Sequence, residues 1–266
     1  MKKQFGFLSS ILAIGFMASN VFAAAPNFAN LSSNDFNSVM NDFSALSSYS
    51  SVSGASGRGS IFGFEVGIVG SLTSTPNANT VAQKTDPTIS IPSLPNAGIL
   101  AAISIPMGLS FEVIFLPKNT FNGLSFQKVG AAVQYKLLDL PISIATKLHY
   151  TTTKFDFSEV LNGVNTTVSF DDSIYGIDLM AGKDLIFIEP YVGLGYATAN
   201  ANLGVSGTVS SIFAPSFTAA QSANATPSSA RVLVGVNFKL LLINLGVEYL
   251  RTFGTESYNF KLSAGF

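Results

Sequence analysis

Apolar and polar residues alternate with a period of two along most of the chain beyond residue 60. Such alternation is typical of β-strands with two unlike faces, since successive side chains of a strand point to opposite sides. The stretches that show it are 61–73, 99–105, 109–116, 124–137, 142–155, 168–182, 186–202, 229–240, 244–253 and 256–266. The sequence therefore predicts an all-β fold of about ten strands, with about eight or twelve as the alternatives.

The two faces of these strands differ in chemistry. In the last strand, Tyr258, Phe260 and Leu262 alternate with small, polar or charged neighbours, and small Gly and Ala residues share the charged face in other strands. A soluble barrel turns its charges outward, whereas a barrel in lipid turns apolar residues outward. Gly and Ala beside charges fit a narrow, crowded interior. We therefore expect an antiparallel up-and-down transmembrane β-barrel rather than a soluble all-β domain.

The connections between the predicted strands alternate in length. The tight turns are 106–108, 138–141, 183–185 and 241–243, and the mostly longer connections are 74–96, 117–123, 156–166, 203–228 and 254–255. The first strand begins, and the last one ends, on the side of the tight turns. Outer-membrane barrels have short periplasmic turns and longer outside loops, so the sorting supports the membrane prediction. We call the two sides of the barrel the turn end and the loop end.

The chain before the barrel divides into two predicted parts. Residues 1–25 have a basic start, an apolar core and a small-residue cleavage site, which predicts a secretory signal peptide. Residues 26–59 are a predicted periplasmic linker, with an amphipathic helix over Asp35–Leu46 and a flexible Ser- and Gly-rich lead over 49–59. Two positions remain open for the helix: below the barrel or on its linker, or in the lumen as a plug. The barrel itself is predicted over residues 60–266.

Composition narrows the remaining choices. The 266 residues are 47% hydrophobic and 11% charged, and the mean hydropathy is +0.41. The chain has no cysteine, which excludes a lipoprotein anchor, disulfides and thiolate metal sites. Its 14 basic and 15 acidic residues give no reason to expect a nucleic-acid partner. We expect no cofactor.

The last strand resembles the closing strand of bacterial outer-membrane β-barrel proteins, which ends in an aromatic residue, here Phe266. That resemblance implies recognition by the barrel-assembly machinery and a surrounding of outer-membrane lipid and lipopolysaccharide. The run Glu189–Tyr196, with the passages 91–95, 100–116 and 129–136, is similar to an uncharacterised family of outer-membrane barrels known only as a domain of unknown function. The likeness covers residues 61–196. It implies a fold and a compartment, but no activity and no functional residue.

Inward-facing charges concentrate near the turn end. They fall within about six residues of a tight turn or terminus, counted at ~3.3 Å per residue. The predicted network consists of Glu65, Glu112, Lys136, Lys147, Asp178, Glu189, Lys239, Glu248 and Lys261. The expected pairs are Glu112 with Lys136, Lys147 with Asp178, Glu189 with Lys239, and Lys261 with Glu65 and Glu248. The network either rigidifies a closed barrel or forms a polar constriction, and its mixed signs argue against strong ion selectivity.

Two further groups lie toward the loop end. An acidic cluster at the outer mouth is either a solvated loop or a Ca²⁺ or Mg²⁺ site bridging to lipopolysaccharide phosphate, and it comprises Asp156, Glu159, Asp171 and Asp172. Lys154 and Arg251 share the parity of lipid-facing residues and suit the same phosphates. His149, the single histidine, faces inward, either as a hydrogen-bonding member of the network or as a catalytic base.

Three functions follow from these features. The first is a structural barrel or a narrow, weakly selective passage for small solutes. The second is a surface protein that captures a hydrophobic ligand through the apolar loops 74–96 and 203–228, where Ile212, Phe213 and Phe217 lie. The third is an enzyme that modifies outer-membrane lipids, but no nucleophile motif stands beside His149, so we expect a non-enzyme.

Overall fold

The computed structural model describes residues 33–57, 62–85, 87, 90–121, 124–139, 141–161, 164–206 and 221–265. The predicted signal peptide, the terminal Phe266 and the apolar loop residues Ile212, Phe213 and Phe217 lie outside these ranges. The two helices are α1 (Ser33–Ser47) and α2 (Pro76–Thr85). The strands are β1 (Gly63–Ser74), β2 (Ser93–Ile105), β3 (Leu109–Phe121), β4 (Leu124–Asp139), β5 (Ser143–Leu161), β6 (Val164–Gly182), β7 (Ile188–Ser206), β8 (Gln221–Ala225), β9 (Ser228–Leu240), β10 (Ile243–Thr252) and β11 (Thr255–Gly265).

The strands form one closed antiparallel barrel. Each long strand pairs with its neighbours in sequence, β1 pairs with β11, and the β6–β7 pairing completes the circle. The short strand β8 pairs with the loop-end part of β7, above the stretch of β7 that pairs with β9. Ten strands therefore close the wall and β8 extends it, which confirms the predicted architecture.

The strands reach further toward the loop end than their alternation predicts. The β5–β6 ladder continues to the pair Leu161–Val164, and β3 pairs with β4 as far as Phe121–Leu124. The predicted loops 117–123 and 156–166 are therefore largely strand. Their Thr, Val and Phe residues favour strands, but the in–out alternation weakens in this part of the chain, so the pattern gave no signal. The predicted loop 74–96 likewise contains α2 and the first residues of β2.

The barrel wall is apolar outside and polar inside. Phe62, Val133 and Leu262 are 61%, 38% and 49% exposed, whereas Glu65 and Lys261 are 3% and 6% exposed. A soluble barrel would show the opposite arrangement, because its apolar side chains would fill the interior. The lipid-facing prediction is confirmed. In the described part of the chain, no helix is long and apolar enough to cross a membrane.

The β10–β11 turn is a short connection at the loop end. Thr252 pairs with Thr255, so Phe253 and Gly254 form a two-residue turn, with φ values of 52° and 76°. Two successive positive φ values define a type I′ turn, which suits the twist of a hairpin and favours glycine at the second position. Phe253 packs in one cluster with Ala45 of α1. Through Phe253, the turn at the barrel rim therefore packs against the helix inside the barrel.

Candidate functional site

The barrel interior, which we call the bore, contains part of the chain itself. Residues 33–57, which we call the internal segment, consist of α1 followed by an extended stretch, and most side chains from Val39 to Ala55 are buried. This is the position that the plug alternative described. The flexible lead expected over 49–59 is, as far as residue 57, packed inside the wall. The bore and its internal segment form the candidate site.

The helix α1 occupies the loop-end half of the bore. Met40 packs in a cluster with Phe170 and Ala201, and the ring of Phe43 lies 5.3 Å from that of Phe170. Further along, the Leu46 carbonyl accepts a 2.9 Å hydrogen bond from Asn96 Nδ2. The amphipathic spacing that predicted the helix therefore turns its apolar residues toward the inner wall.

Asp42 fastens α1 to α2. Its carboxylate accepts hydrogen bonds from the backbone N–H groups of Asn77 and Ala78 at 2.8 and 2.9 Å, from Asn77 Nδ2 at 2.8 Å and from Thr255 Oγ1 at 3.1 Å. A carboxylate at a helix N-terminus satisfies unpaired N–H groups and is favoured by the helix dipole.

An arginine clamp holds the internal segment near the middle of the bore. Arg231 Nη2 donates to the Tyr49 carbonyl at 2.9 Å, and Arg231 Nε donates to Asp178 Oδ1 at 2.9 Å. Tyr49 donates its hydroxyl to Glu112 Oε2 at 2.9 Å and stacks on His149, with the ring centres 5.6 Å apart. One tyrosine therefore contacts side chains from three strands of the wall, β3, β5 and β9.

The wall also binds the backbone of the internal segment. Lys128 Nζ donates to the Ser48 carbonyl and Gln134 Nε2 to the Gly54 carbonyl, each at 2.9 Å. Glu189 accepts a 2.9 Å bond from the Ser56 backbone N–H. A buried backbone without secondary structure needs such partners, because an unpaired buried amide is costly. Hydrogen bonds to the wall therefore take the place of a sheet or helix ladder here.

Wall glycines make room for side chains of the internal segment. A Cβ on Gly130 would lie 2.9 Å from the Tyr49 ring, and one on Gly246 would lie 2.7 Å from Val52 Cγ1. A Cβ on Gly182 would lie 3.5 Å from that of Ala55. All three positions face the bore, and a side chain at Gly130 or Gly246 would displace the segment.

Two of the predicted ion pairs form, and the others differ. Lys261 lies 3.0 Å from Glu65, and Lys239 lies 3.3 Å from Glu189. Glu112 instead pairs with Lys147 at 3.3 Å, Lys136 with Asp139 at 2.7 Å, and Asp178 with Arg231. Glu248 accepts hydrogen bonds from Ser50, Tyr191 and Asn259.

Two of the rearranged pairs, Glu112–Lys147 and Asp178–Arg231, join strands that are not neighbours, whereas Lys136 and Asp139 both lie on β4. Asp178 on β6 and Arg231 on β9 are both opposite Gly195 on the intervening β7. Gly195 has no side chain, so the two charged groups meet across it. Pairing only adjacent strands, as the sequence analysis did, misses contacts of this kind.

Arg231 and Lys128 are residues of the site that sequence analysis did not include in the network. Both lie on the inward parity of their strands, so the alternation identifies their direction. They were left out because they lie further than about six residues from the turn end. No sequence pattern places Tyr49 in the site, since the Ser-rich stretch around it has neither helical nor strand periodicity.

The residues of the predicted cation site point to different sides. Asp172 is buried and faces the bore beside Ser44, whereas Asp171 is exposed and lies 3.5 Å from Lys154. Asp156 lies 3.8 Å from Lys118. Glu159 lies on β5, and its side chain is not described. Among the described residues, no cluster of His, Asp or Glu groups is arranged to hold a metal ion.

His149 is buried in the bore. Its Nε2 lies 3.4 Å from Asp178 Oδ2, and its ring faces Tyr49. His149 therefore contacts two residues of the arginine clamp, Asp178 and Tyr49. Lys154 and Arg251 are exposed on the outer side of the wall.

The internal segment leaves some free volume in the bore. A cavity of about 190 Å³ lies at the turn end, between Gly57, Glu65 and Lys239. A second one of about 20 Å³, near the volume of one water, lies beside Lys128. Between them the segment packs against the wall through the contacts described above.

Together, the apolar outer wall and the occupied polar bore define an integral membrane β-barrel protein with an internal segment. The chain belongs to DUF6588, a family of unknown function whose family model matches residues 1–266. Membership of an uncharacterised barrel family, as the sequence resemblance implied, is confirmed.

Solved structures with similar folds are outer-membrane barrels. The translocator domain of the autotransporter NalP from Neisseria meningitidis aligns with a TM-score of 0.52 and 9% identity, covering 91% of this chain and 99% of that domain. The outer membrane protease OmpT from Escherichia coli aligns with a TM-score of 0.41 and 9% identity, covering 77% of this chain and 95% of the protease. At these identities the similarity concerns the fold alone. No curated protein matches the sequence.

Proposed function

We propose that the protein is an outer-membrane barrel that forms a closed passage for small solutes, sealed by its own internal segment. The observation that carries this proposal is the set of polar contacts between the bore and the extended part of the segment, residues 48–57. Side chains of Lys128, Gln134 and Arg231 bind backbone carbonyls of the segment. In this proposal, lipid and lipopolysaccharide surround the apolar wall, the barrel-assembly machinery inserts it, and the turn end faces the periplasm.

A polar interface is easier to open than an apolar one. A hydrogen bond inside a protein contributes only about 0.5–1.5 kcal/mol net, or about 1.5–3 kcal/mol when one group is charged, because water replaces it when it breaks. When the segment leaves, water enters the bore and hydrates both the charged wall and the freed backbone. Separating an apolar core of equal area would instead expose hydrocarbon, at about 25 cal/mol per Å².

Backbone strain in the segment acts in the same direction. Val52 has a φ of 50° and is fully buried. β-Branched residues rarely adopt positive φ, and such conformations cost about 1–3 kcal/mol. The strain persists because Val52 is packed against the wall at Gly246. Release of the segment relieves it.

The charges of the bore suit a weakly selective passage. Acidic Glu65, Glu112 and Glu189 and basic Lys147 and Lys261 all face the interior. Strongly selective pores use rings of one sign, whereas mixed signs favour neither cations nor anions strongly.

Single-channel recording in planar bilayers tests the proposal. Wild type should remain mostly closed, whereas Tyr49→Ala should open at least several-fold more often, because it removes the Glu112 hydrogen bond and the His149 contact. Tyr150→Ala is the matched control, since Tyr150 lies next to His149 on β5 but is 49% exposed on the outer face. It should behave like wild type.

Three results would contradict the closed passage. A wild type that conducts continuously has no seal. A folded Tyr49→Ala barrel that stays closed, together with a wild type that never opens, indicates a purely structural barrel. Equal opening of Tyr49→Ala and Tyr150→Ala would show that the effect comes from the wall rather than from the segment.

A further inference from the structure

The internal segment runs through the bore in a defined direction. Asp42 lies at the loop end, beside α2 and Thr255. Tyr49 lies at the arginine clamp, and Gly57 lines the turn-end cavity. From the start of α1 to Gly57, the chain therefore passes from the loop end to the turn end, where β1 begins at Gly63.

The first turn of α1 lies beyond Asp42 on the loop side. Asn34 is eight positions before Asp42, which corresponds to about 12 Å at 1.5 Å per helical residue. The clusters along the helix confirm its direction, since Ala45 packs with Ile174 whereas Met40 packs with Phe170, which is nearer the loop end of β6. Asn34 and Asn37 are exposed. The helix therefore begins at the loop rim of the barrel.

We propose that the chain enters the bore from outside the cell, so that the first turn of α1 is presented on the outer surface. Outer-membrane barrels place their longer loops outside and their short turns in the periplasm. With that orientation, which belongs to the proposed function, the loop rim faces the medium. The strands alone suggest the opposite for the preceding chain, because β1 starts at the turn end.

The direction of the segment also determines how it can leave. Its last described residue, Gly57, is joined to Gly63 at the turn end by a connection that spans at most about 20 Å at 3.3–3.6 Å per residue. The segment is thus tethered at the turn end and still crosses the bore if it is pulled outward. It clears the bore only when its amino-terminal side withdraws toward the turn end. A bulky group on the first turn of α1 therefore keeps the passage closed.

Cysteine labelling tests the direction, and it does not depend on opening. The chain has no cysteine, so Asn34→Cys, Lys118→Cys and Lys183→Cys each carry a unique thiol. Lys118 is exposed near the loop end of β3, and Lys183 is exposed in the β6–β7 turn. In intact cells, a membrane-impermeant maleimide should label Asn34→Cys and Lys118→Cys, and it should label Lys183→Cys only after the outer membrane is permeabilised.

The labelling pattern separates two kinds of failure. If Asn34→Cys behaves like Lys183→Cys, the direction of the segment is overturned. If Lys118→Cys is protected and Lys183→Cys is labelled, the orientation of the barrel is reversed, and presentation on the cell surface is overturned whatever the function.

A second measurement tests the withdrawal. In the Tyr49→Ala background, biotin on Asn34→Cys should let streptavidin, added on the loop side, suppress channel openings at least several-fold. Biotin on Lys118→Cys should leave them unchanged. Undiminished openings with streptavidin bound at Asn34→Cys would overturn the withdrawal route. A Tyr49→Ala protein that never opens counts against the proposed passage, and the labelling experiment still decides the direction.

Discussion

The ion pair between Arg231 and Asp178 allows the sharpest stability prediction. Both side chains are buried, at 2% and 3% side-chain exposure, and Nε lies 2.9 Å from Oδ1. Arg231→Met keeps a long, flexible side chain of similar length but removes the positive charge. The variant leaves the Asp178 carboxylate with the His149 contact at 3.4 Å and removes the donor of the Tyr49 carbonyl.

The expected cost follows from the broken pair. Removing one partner of a buried ion pair typically costs about 3–5 kcal/mol, since the remaining charge stays buried. Replacing both partners with neutral groups of similar size costs much less. We therefore expect Arg231→Met to lower the free energy of unfolding by about 3–5 kcal/mol. The double variant with Asp178→Asn should lose only about 1–2 kcal/mol, which corresponds to the lost hydrogen bond from Arg231 to the Tyr49 carbonyl.

Urea unfolding of the folded barrel in lipid vesicles measures both variants. The chain has no tryptophan, so far-ultraviolet circular dichroism is the suitable signal. Arg251→Met is the matched control, because Arg251 is exposed on the outer side of β10, and it should change the unfolding free energy by less than about 0.5 kcal/mol. The reasoning is refuted if Arg231→Met costs under about 1 kcal/mol, or if the costs of Arg231→Met and Asp178→Asn simply add in the double variant.

Two further predictions use the contacts between glycines and the clamp or segment. Gly195→Ala should destabilise the barrel by about 1–3 kcal/mol, because its Cβ would meet the Asp178 carboxylate. Gly70→Ala is the control and should be nearly neutral, since its Cβ would lie 3.7 Å from the Asn96 carbonyl. Equal urea midpoints for the two variants would contradict this prediction. The pair Ala55→Cys/Gly182→Cys should form a disulfide in the membrane, since the two Cβ atoms would lie 3.5 Å apart, and two free thiols after oxidation would show that the segment is not seated as described.

The wall of the barrel could be predicted because lipid imposes a simple rule on every residue. Each strand position either faces hydrocarbon or faces the bore, so Leu262 and Lys261 have opposite surroundings although they are adjacent. The alternation fails where that rule ends. Beyond the apolar band both faces of the β5–β6 hairpin carry polar residues, and the predicted strands stop several residues early.

The contents of the bore could not be predicted in the same way. The apolar residues of α1 recur with helical spacing, so the helix itself was predicted. Its position depends on its contacts with the bore, which that spacing does not reveal. The stretch from Ser48 to Gly57 has neither the period of an α-helix nor that of a β-strand, and its structure comes from single hydrogen bonds to the wall such as that from Arg231. In the charge network, Asp178 reaches Arg231 because Gly195 on the intervening strand has no side chain. No pattern within one strand reveals this contact.

The glycines of the bore show how the wall and the internal segment fit together. Tyr49, Val52 and Ala55 recur every third residue along the internal segment, and they face Gly130, Gly246 and Gly182 respectively. These wall glycines come from three different strands, β4, β10 and β6, so no strand by itself shows the relation.

Small inward residues beside charges fit a narrow, crowded bore. The structure gives a more specific reason, because a Cβ at Gly130 or Gly246 would come within 3 Å of the segment. Real Cβ atoms do not approach other atoms so closely without displacing them, and overpacking of this kind typically costs about 1–3 kcal/mol. The inner surface of the wall is therefore complementary to the internal segment, which precedes it in the chain. A barrel built only to leave a narrow pore would have no need of this match, whereas a barrel filled by its own internal segment requires it.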